Sequence, residues 1–216
     1  MLNNLIEEFK DTIDLDDFFS YFNFEIVKEE ILSSKNNLIF LLGNPGSGKT
    51  FMINYLAKKF PKKYQIFKDF NSINKNKTLL IDEAQLLNES EIEKLRVLSD
   101  NGVQVLFAMH KKEGEEIVKK PQFHSRYYQK IYMKPLNYKE FENYVLKKFN
   151  KYSYSHIINK KILKKIYKYS KGNFRLSKKI IFRALDLLDF SLRNNLKYKE
   201  IDNCILKMSI IDLELK

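Results

Sequence analysis

Eight consecutive residues, Gly43-Asn44-Pro45-Gly46-Ser47-Gly48-Lys49-Thr50, set glycines, a lysine and a hydroxyl at the spacing G-x-x-x-x-G-K-[ST]. Each residue type has a physical part in gripping phosphate. The glycines let the backbone curl until successive N–H groups point inward at phosphate oxygens. A helix starting there adds its partial positive charge. Lys49 has the length to reach β- and γ-phosphates, and the Thr50 hydroxyl suits Mg²⁺. Gly43 to Phe51 is therefore the candidate cradle for a nucleoside triphosphate. A second group lies further on, in Leu79-Leu80-Ile81-Asp82-Glu83-Ala84-Gln85. Two carboxylates end an apolar run, the Walker B arrangement. Asp82 would hold the metal, and Glu83 would polarise an attacking water as general base.

The elements needed to position these groups can be read from the pattern. Leu38 to Leu42 is a continuous apolar run between polar Lys35-Asn36-Asn37 and Gly43, which predicts a buried strand. Residues 49–59 predict a helix that Pro61 ends. Tyr64 to Phe67, Thr78 to Ile81, Val103 to Ala108 and Ile131 to Met133 predict four more strands. Ile92, Leu95 and Leu98 recur at helical spacing over 89–100, and Asn101-Gly102 stops that helix. Residues 5–32 read as short helical segments and 113–120 as a polar helix or loop. After Pro135 the period changes: 137–150, 159–169, 174–194 and 198–209 are all helical. The prediction is α/β, a parallel five-stranded sheet with helices on both faces over residues 1–136. A small all-helical lid domain with a C-terminal tail covers 137–216.

The chain has 216 residues and a net charge of +12, with 44% apolar and 31% charged residues. That composition excludes disordered and collagen-like classes. Cys204 is the only cysteine, so no intrachain disulfide forms, as suits a reducing cytoplasm. No run approaches the roughly 20 apolar residues of a membrane span. The acidic start, MLNNLIEEFKDTIDLDD, is no secretory signal. A cytoplasmic protein is expected, peripheral at a membrane only through a partner. Charge is uneven, with an acidic front and a basic back that could meet nucleic acid, acidic lipid or an acidic protein. Abundant Lys, Asn and Ile also fit the bias of an AT-rich genome.

With these residues in place the sequence resembles the AAA+ ATPases over about residues 15–195, and within them the ExeA/GspA and TniB branch related to origin-recognition ATPases. Ser125-Arg126-Tyr127-Tyr128 leading to Lys134-Pro135-Leu136 is similar to the family stretch before the last strand. Ser170-Lys171-Gly172-Asn173-Phe174-Arg175 resembles the Gly-x-x-Arg that opens a lid helix. The resemblance implies that Arg126 is an arginine finger for a neighbouring subunit and Arg175 a sensor 2. It implies ATP and Mg²⁺ as ligands and a homo-oligomer. It further implies a cytoplasmic, nucleotide-driven component of a membrane machine, such as secretion or DNA uptake (natural transformation), with a membrane-anchored protein partner. The alternatives are a DNA-binding initiator or transposition-type regulator, and an ATP-dependent adaptor with little hydrolysis.

Two features depart from that family. Met109-His110 stands where a polar sensor 1 is expected, so only His110 could serve and turnover is expected to be slow. Ten residues between Phe67 and Thr78 leave no room for the usual helix, which argues against a threading motor. Tyr144, Tyr152, Tyr154, Tyr167 and Tyr169 interleave with lysines, a pattern of base stacking or of a small packed lid core, with the core favoured. Among Tyr21, Phe22 and Phe24, one could stack on a base; core packing explains them equally well. His124 and His156 belong to no ligand cluster.

Overall fold

A computed structural model describes residues 2–10, 12, 15 and 19–215. The elements run α1 (Asn3–Glu7), α2 (Phe22–Ser33), β1 (Leu38–Gly43), α3 (Lys49–Lys59), β2 (Tyr64–Ile66), β3 (Thr78–Ile81), α4 (Glu89–Asp100), β4 (Val105–His110), α5 (Lys111–Val118), α6 (Pro121–His124) and β5 (Tyr128–Tyr132), followed by α7 (Tyr138–Lys151), α8 (Lys160–Ser170), α9 (Phe174–Arg193) and α10 (Asn203–Asp212). The chain divides into two compact units, Leu15–Lys134 and a second built from Pro135–Lys216 together with Met1–Asp14. The sequence reading puts residues 1–136 in the α/β unit. The structure instead groups the first fourteen with the helices.

In the α/β unit the five strands are parallel, in the order β2-β3-β4-β1-β5. β1 lies between β4 and β5 and is buried along its whole length, which is why it reads as unbroken apolar sequence rather than alternation. Successive side chains go to opposite faces. Ile39 and Leu41, with Leu80, Leu106 and Ile131, pack against Phe24, Val27 and Ile31 of α2 and Met52, Ile53 and Leu56 of α3. Leu38, Phe40 and Leu42, with Leu79, Ile81, Val105 and Phe107, pack against Ile92 and Leu95 of α4, Val118 of α5 and Phe123 of α6. Helices thus cover both faces, as the pattern predicts. Phe40 stacks on Phe107 with centroids 5.5 Å apart and meets Phe123 edge-on. Truncating so buried a ring costs about 3–5 kcal/mol.

Local chemistry sets the boundaries. Asn88 caps α4 in a reciprocal box: its Oδ1 accepts from Glu91 N at 2.9 Å, and Glu91 Oε2 accepts from Asn88 N at 2.9 Å. Between β2 and β3 the chain makes only a 3₁₀ turn, Phe70–Ser72, capped by Asp69. The segment 113–120, open between helix and loop in the sequence, is helical to Val118 because Ile117 and Val118 turn toward the core.

The helical unit opens with a second capping box, Asn137 with Glu140 at the start of α7. Asn159, Asn173 and Asp202 cap the other three helices. α10 starts at Asn203 rather than 198, because Asp202 takes the N–H groups of Cys204 and Ile205 and leaves 198–201 outside the helix. The N-terminal segment is fastened here by Leu5 and Phe9, both buried, and by Glu8, which accepts hydrogen bonds from Lys148 and Lys151 at 2.6 Å and Tyr152 at 2.7 Å.

Candidate functional site

β1 delivers the loop Gly43–Gly48 to the C-terminal edge of the sheet, and α3 begins at Lys49. Gly48 sits at φ +101°, where only glycine is unstrained. At Gly43 a Cβ would fall 2.5 Å from Ser47 Oγ and 2.8 Å from the Met133 carbonyl oxygen, so the turn closes only without a side chain. Asn44 and Pro45 form the exposed tip and Gly46 turns at φ 73°. Lys49 is buried, and its ammonium donates to the carbonyls of Gly43 at 2.8 Å and Asn44 at 3.2 Å. Phe51 packs edge-on against Phe24, away from the loop.

Asp82 and Glu83 follow β3 at the same edge. The Thr50 hydroxyl donates to the Asp82 carboxylate, and the Glu83 N–H donates to Asp82 Oδ1 at 3.0 Å. Burial raises the Asp82 pKa above the usual aspartate value; these two hydrogen bonds and the Lys49 charge offset only part of that rise. Glu83 adopts φ 47°, ψ 42°, a left-handed conformation uncommon for a residue with a side chain. That turn aims its carboxylate at β4. Glu83 Oε2 accepts from Gln85 Nε2 and lies 3.5 Å from His110 Nε2, while Gln85 Oε1 accepts from the His110 N–H at 3.4 Å. His110 pairs in register with Gly43 across the β1–β4 ladder. Met109 points the other way, into the core.

The structure thus brings Lys49, Thr50, Asp82, Glu83 and His110 to one edge. Arg126 is elsewhere. It precedes β5, whose first residue pairs with Leu38 at the opposite end of β1. At about 3.3 Å per residue, Arg126 lies roughly 20 Å from Gly43 along the sheet, out of its own cradle's reach. It lines a cleft of about 380 Å³ with Lys35, Asn37, Ser99, Asp100 and Tyr127. Arg175 is the second residue of α9 in the helical unit, and is exposed.

The sequence reading assigned no role to Gln85, though its place two residues beyond Glu83 in a turn was the available signal. Of the three aromatics before the cradle, Phe24 is core and Phe22 is exposed, while Tyr21 borders the loop, its hydroxyl 3.3 Å from the Ser47 carbonyl.

The residues present fit a triphosphate with Mg²⁺. The loop is shaped so that glycine alone fits its close approaches, and Ser47 Oγ is buried beside it with no hydrogen-bond partner among the described residues. Thr50 and Asp82 pair a hydroxyl with a carboxylate, the hard oxygen donors that Mg²⁺ takes.

A family model described as Novel STAND NTPase 3 matches residues 18–88. No curated protein matches the chain. Among solved structures, the chain is similar to the RuvB Holliday junction branch migration motor of Thermotoga maritima, with 18% identity, TM-score 0.65, and coverage of 95% of this chain and 73% of that one. It is similar to the Aeropyrum pernix ORC1 protein in complex with DNA, with 9% identity, TM-score 0.66, and coverage of 97% and 69%. Domain III of the Thermotoga maritima replication initiation protein DnaA gives 17% identity, TM-score 0.52 and 95% coverage of both chains. The shared feature is the fold. Among the described residues no helix is long and apolar enough to cross a membrane.

Proposed function

We propose that the chain binds ATP with Mg²⁺ and hydrolyses it, and that hydrolysis needs a second copy of the chain. The observation that carries this reading is the gathering of Lys49, Thr50, Asp82, Glu83 and His110 at one sheet edge, with Arg126 at the other. In this reading Lys49 exchanges the loop carbonyls for β- and γ-phosphate oxygens. The loop N–H groups from Gly46 to Phe51 surround the phosphates. Thr50 and Asp82 hold Mg²⁺, which neutralises phosphate charge. Glu83 orients the attacking water and takes up its proton, and His110 holds the Glu83 carboxylate in place. Arg126 supplies a planar cation to the γ-phosphate held by a neighbour, where charge grows in the transition state.

The carboxylate of Glu83 is tied to Gln85 and His110, which supports slow basal turnover and gives the ATP-dependent adaptor its footing as a second reading. The finer proposal, an ExeA-like component of a secretion or DNA-uptake machine reached through a membrane-anchored partner, rests on the lid stretch Ser170 to Arg175 and gives Arg175 its sensor role.

Equilibrium binding of a fluorescent ATP analogue, with and without Mg²⁺, tests the core of this reading. Wild type should bind, Lys49→Ala should not, and Glu83→Gln should bind while losing turnover. Equal binding by wild type and Lys49→Ala would end it. Equally negligible turnover by wild type and Glu83→Gln would leave only the adaptor, and equally high turnover would remove Glu83 as the base.

A further inference from the structure

From Asn143 to Leu185 the chain has no Asp or Glu, yet it carries 13 Lys and Arg. At the density of the whole chain, 27 acidic residues in 216, a stretch of 43 would hold about five. A genome that favours lysine explains added cations. It does not explain the removal of every carboxylate.

The structure concentrates this charge. α8 turns Ile162, Leu163 and Ile166 inward and leaves Lys160, Lys161, Lys164, Lys165 and Lys168 exposed. These five span about 12 Å of helix. Exposed Lys171 continues the row past the helix end. Among the described residues, the carboxylate against this face is Glu142, 3.7 Å from Lys160, and Lys165 donates to the neutral Asn203 side chain at 2.6 Å. Five like charges on one helix repel one another, and ordinary surfaces relieve this with interspersed acids. Here they stay together.

We propose that the exposed face of α8 binds the phosphate backbone of duplex DNA without sequence preference. Lysine is a flexible point charge rather than a planar fork, so a row of exposed lysines suits phosphate neutralisation better than base readout. A single strand would need aromatic platforms for its bases. The tyrosines are mostly spent inside: Tyr144 is buried, Tyr152 bonds Glu8 and Tyr167 bonds the Leu136 carbonyl, leaving Tyr169 as the large exposed aromatic of α8. An anionic membrane would also attract these lysines, but the apolar face of α8 is used in the core and adds no insertion, so a comparison with anionic vesicles separates the two. The proposal does not depend on nucleotide binding.

Fluorescence anisotropy with a labelled 30-base-pair duplex, titrated from 25 to 200 mM salt, tests it. With three to five phosphates neutralised, affinity should fall about 40- to 500-fold between 50 and 200 mM salt. The triple variant Lys161→Gln/Lys164→Gln/Lys168→Gln changes only exposed side chains and should keep the wild-type melting temperature. It should weaken binding at least tenfold at low salt and flatten the log–log salt slope by about 2 to 3. Lys49→Ala should bind DNA like wild type. No binding at 25 mM salt, a triple variant that binds unchanged, or equal binding to anionic vesicles or polyglutamate would each overturn the proposal. Should the triple variant melt early, the wild-type salt slope alone decides.

Discussion

Arg126 grips Asp100 with a two-pronged contact: Nε is 2.8 Å from Oδ1 and Nη2 is 2.9 Å from Oδ2. Asp100 also pairs with Arg96, so one carboxylate serves two guanidiniums. This fork, together with Nη1 donating to the Gln122 carbonyl, holds Arg126 in one orientation at the end of the sheet opposite its own cradle.

If Arg126 serves a neighbour's cradle, as proposed, activity is a property of a pair of chains. Arg126→Ala should lower turnover at least about 100-fold while ATP binding stays within a few-fold of wild type. Glu83→Gln should be inactive as well. Mixed together, the two variants should recover activity, since one partner supplies an intact cradle and the other an intact arginine. Turnover per chain in wild type should rise with protein concentration. A mixture no faster than its parents would remove Arg126 from the reaction.

Gly48→Ala separates backbone strain from crowding. The new methyl would lie 3.2 Å from the Tyr21 hydroxyl and 3.3 Å from Met133 Cε, both ends of movable side chains. The crowding can relax, but φ +101° cannot. The variant should lose about 1–3 kcal/mol of stability or reshape the loop, and in either case bind ATP at least tenfold more weakly. Titration of the fluorescent analogue against this variant checks it. Unchanged affinity would show that the loop does not use this geometry.

Glu8 links the N-terminal segment to the helical unit through charge. Burial pushes its carboxyl pKa up, but the bonds from Lys148, Lys151 and Tyr152 together outweigh that and hold it below the ordinary glutamate value of 4.5. A carboxyl depressed in the folded state stabilises above its unfolded pKa, and that stability is lost as pH falls through the folded pKa. Glu8→Gln should therefore cost about 2 kcal/mol at pH 7, where buried Lys148 and its neighbour Lys151 lose their ion pairs with this carboxylate. The gap to wild type should close as pH drops below 4.5. Chemical denaturation at pH 7 and pH 3.5 measures both; a pH-independent gap would mean that packing, not charge, is lost.

How much of this was legible in the sequence depended on whether neighbours in space were neighbours in the chain. Gly43 to Thr50 is one unbroken motif, and Asp82-Glu83 ends one apolar run, so both could be read directly. β1 was plain because both its faces are buried. Three-residue β2 and the shift of β5 back to Tyr128 were harder, since short partly buried strands carry little pattern. The grouping of Glu83, Gln85 and His110 depends on a left-handed turn at a glutamate, which no propensity suggests. The membership of Met1–Asp14 in the helical unit follows from pairing Glu8 with residues 148–152, a contact across 140 positions that single-sequence periodicity does not encode. Its local trace was the apolar spacing of Leu2, Leu5 and Phe9.

Tyr64 gives a prediction of opposite sign. Its ring packs in the core at the start of β2, meeting Phe60 edge-on at 6.3 Å, but its hydroxyl is buried without a hydrogen-bond partner among the described residues. Burial alone pushes its pKa up to about 12. A buried hydroxyl with no partner has lost its water and gained nothing in return, so removing it should help. Tyr64→Phe keeps the ring and should stabilise the protein by about 1 kcal/mol at pH 7. The phenol also makes the fold alkali-sensitive. Its folded pKa is raised, so its contribution is intact below pH 10 and declines as pH rises toward 12. The variant's advantage should therefore widen over that range. Paired melting curves at pH 7 and pH 10.5 measure both effects. A variant less stable than wild type at pH 7 would mean that the hydroxyl has a partner after all, a water held against the start of β2.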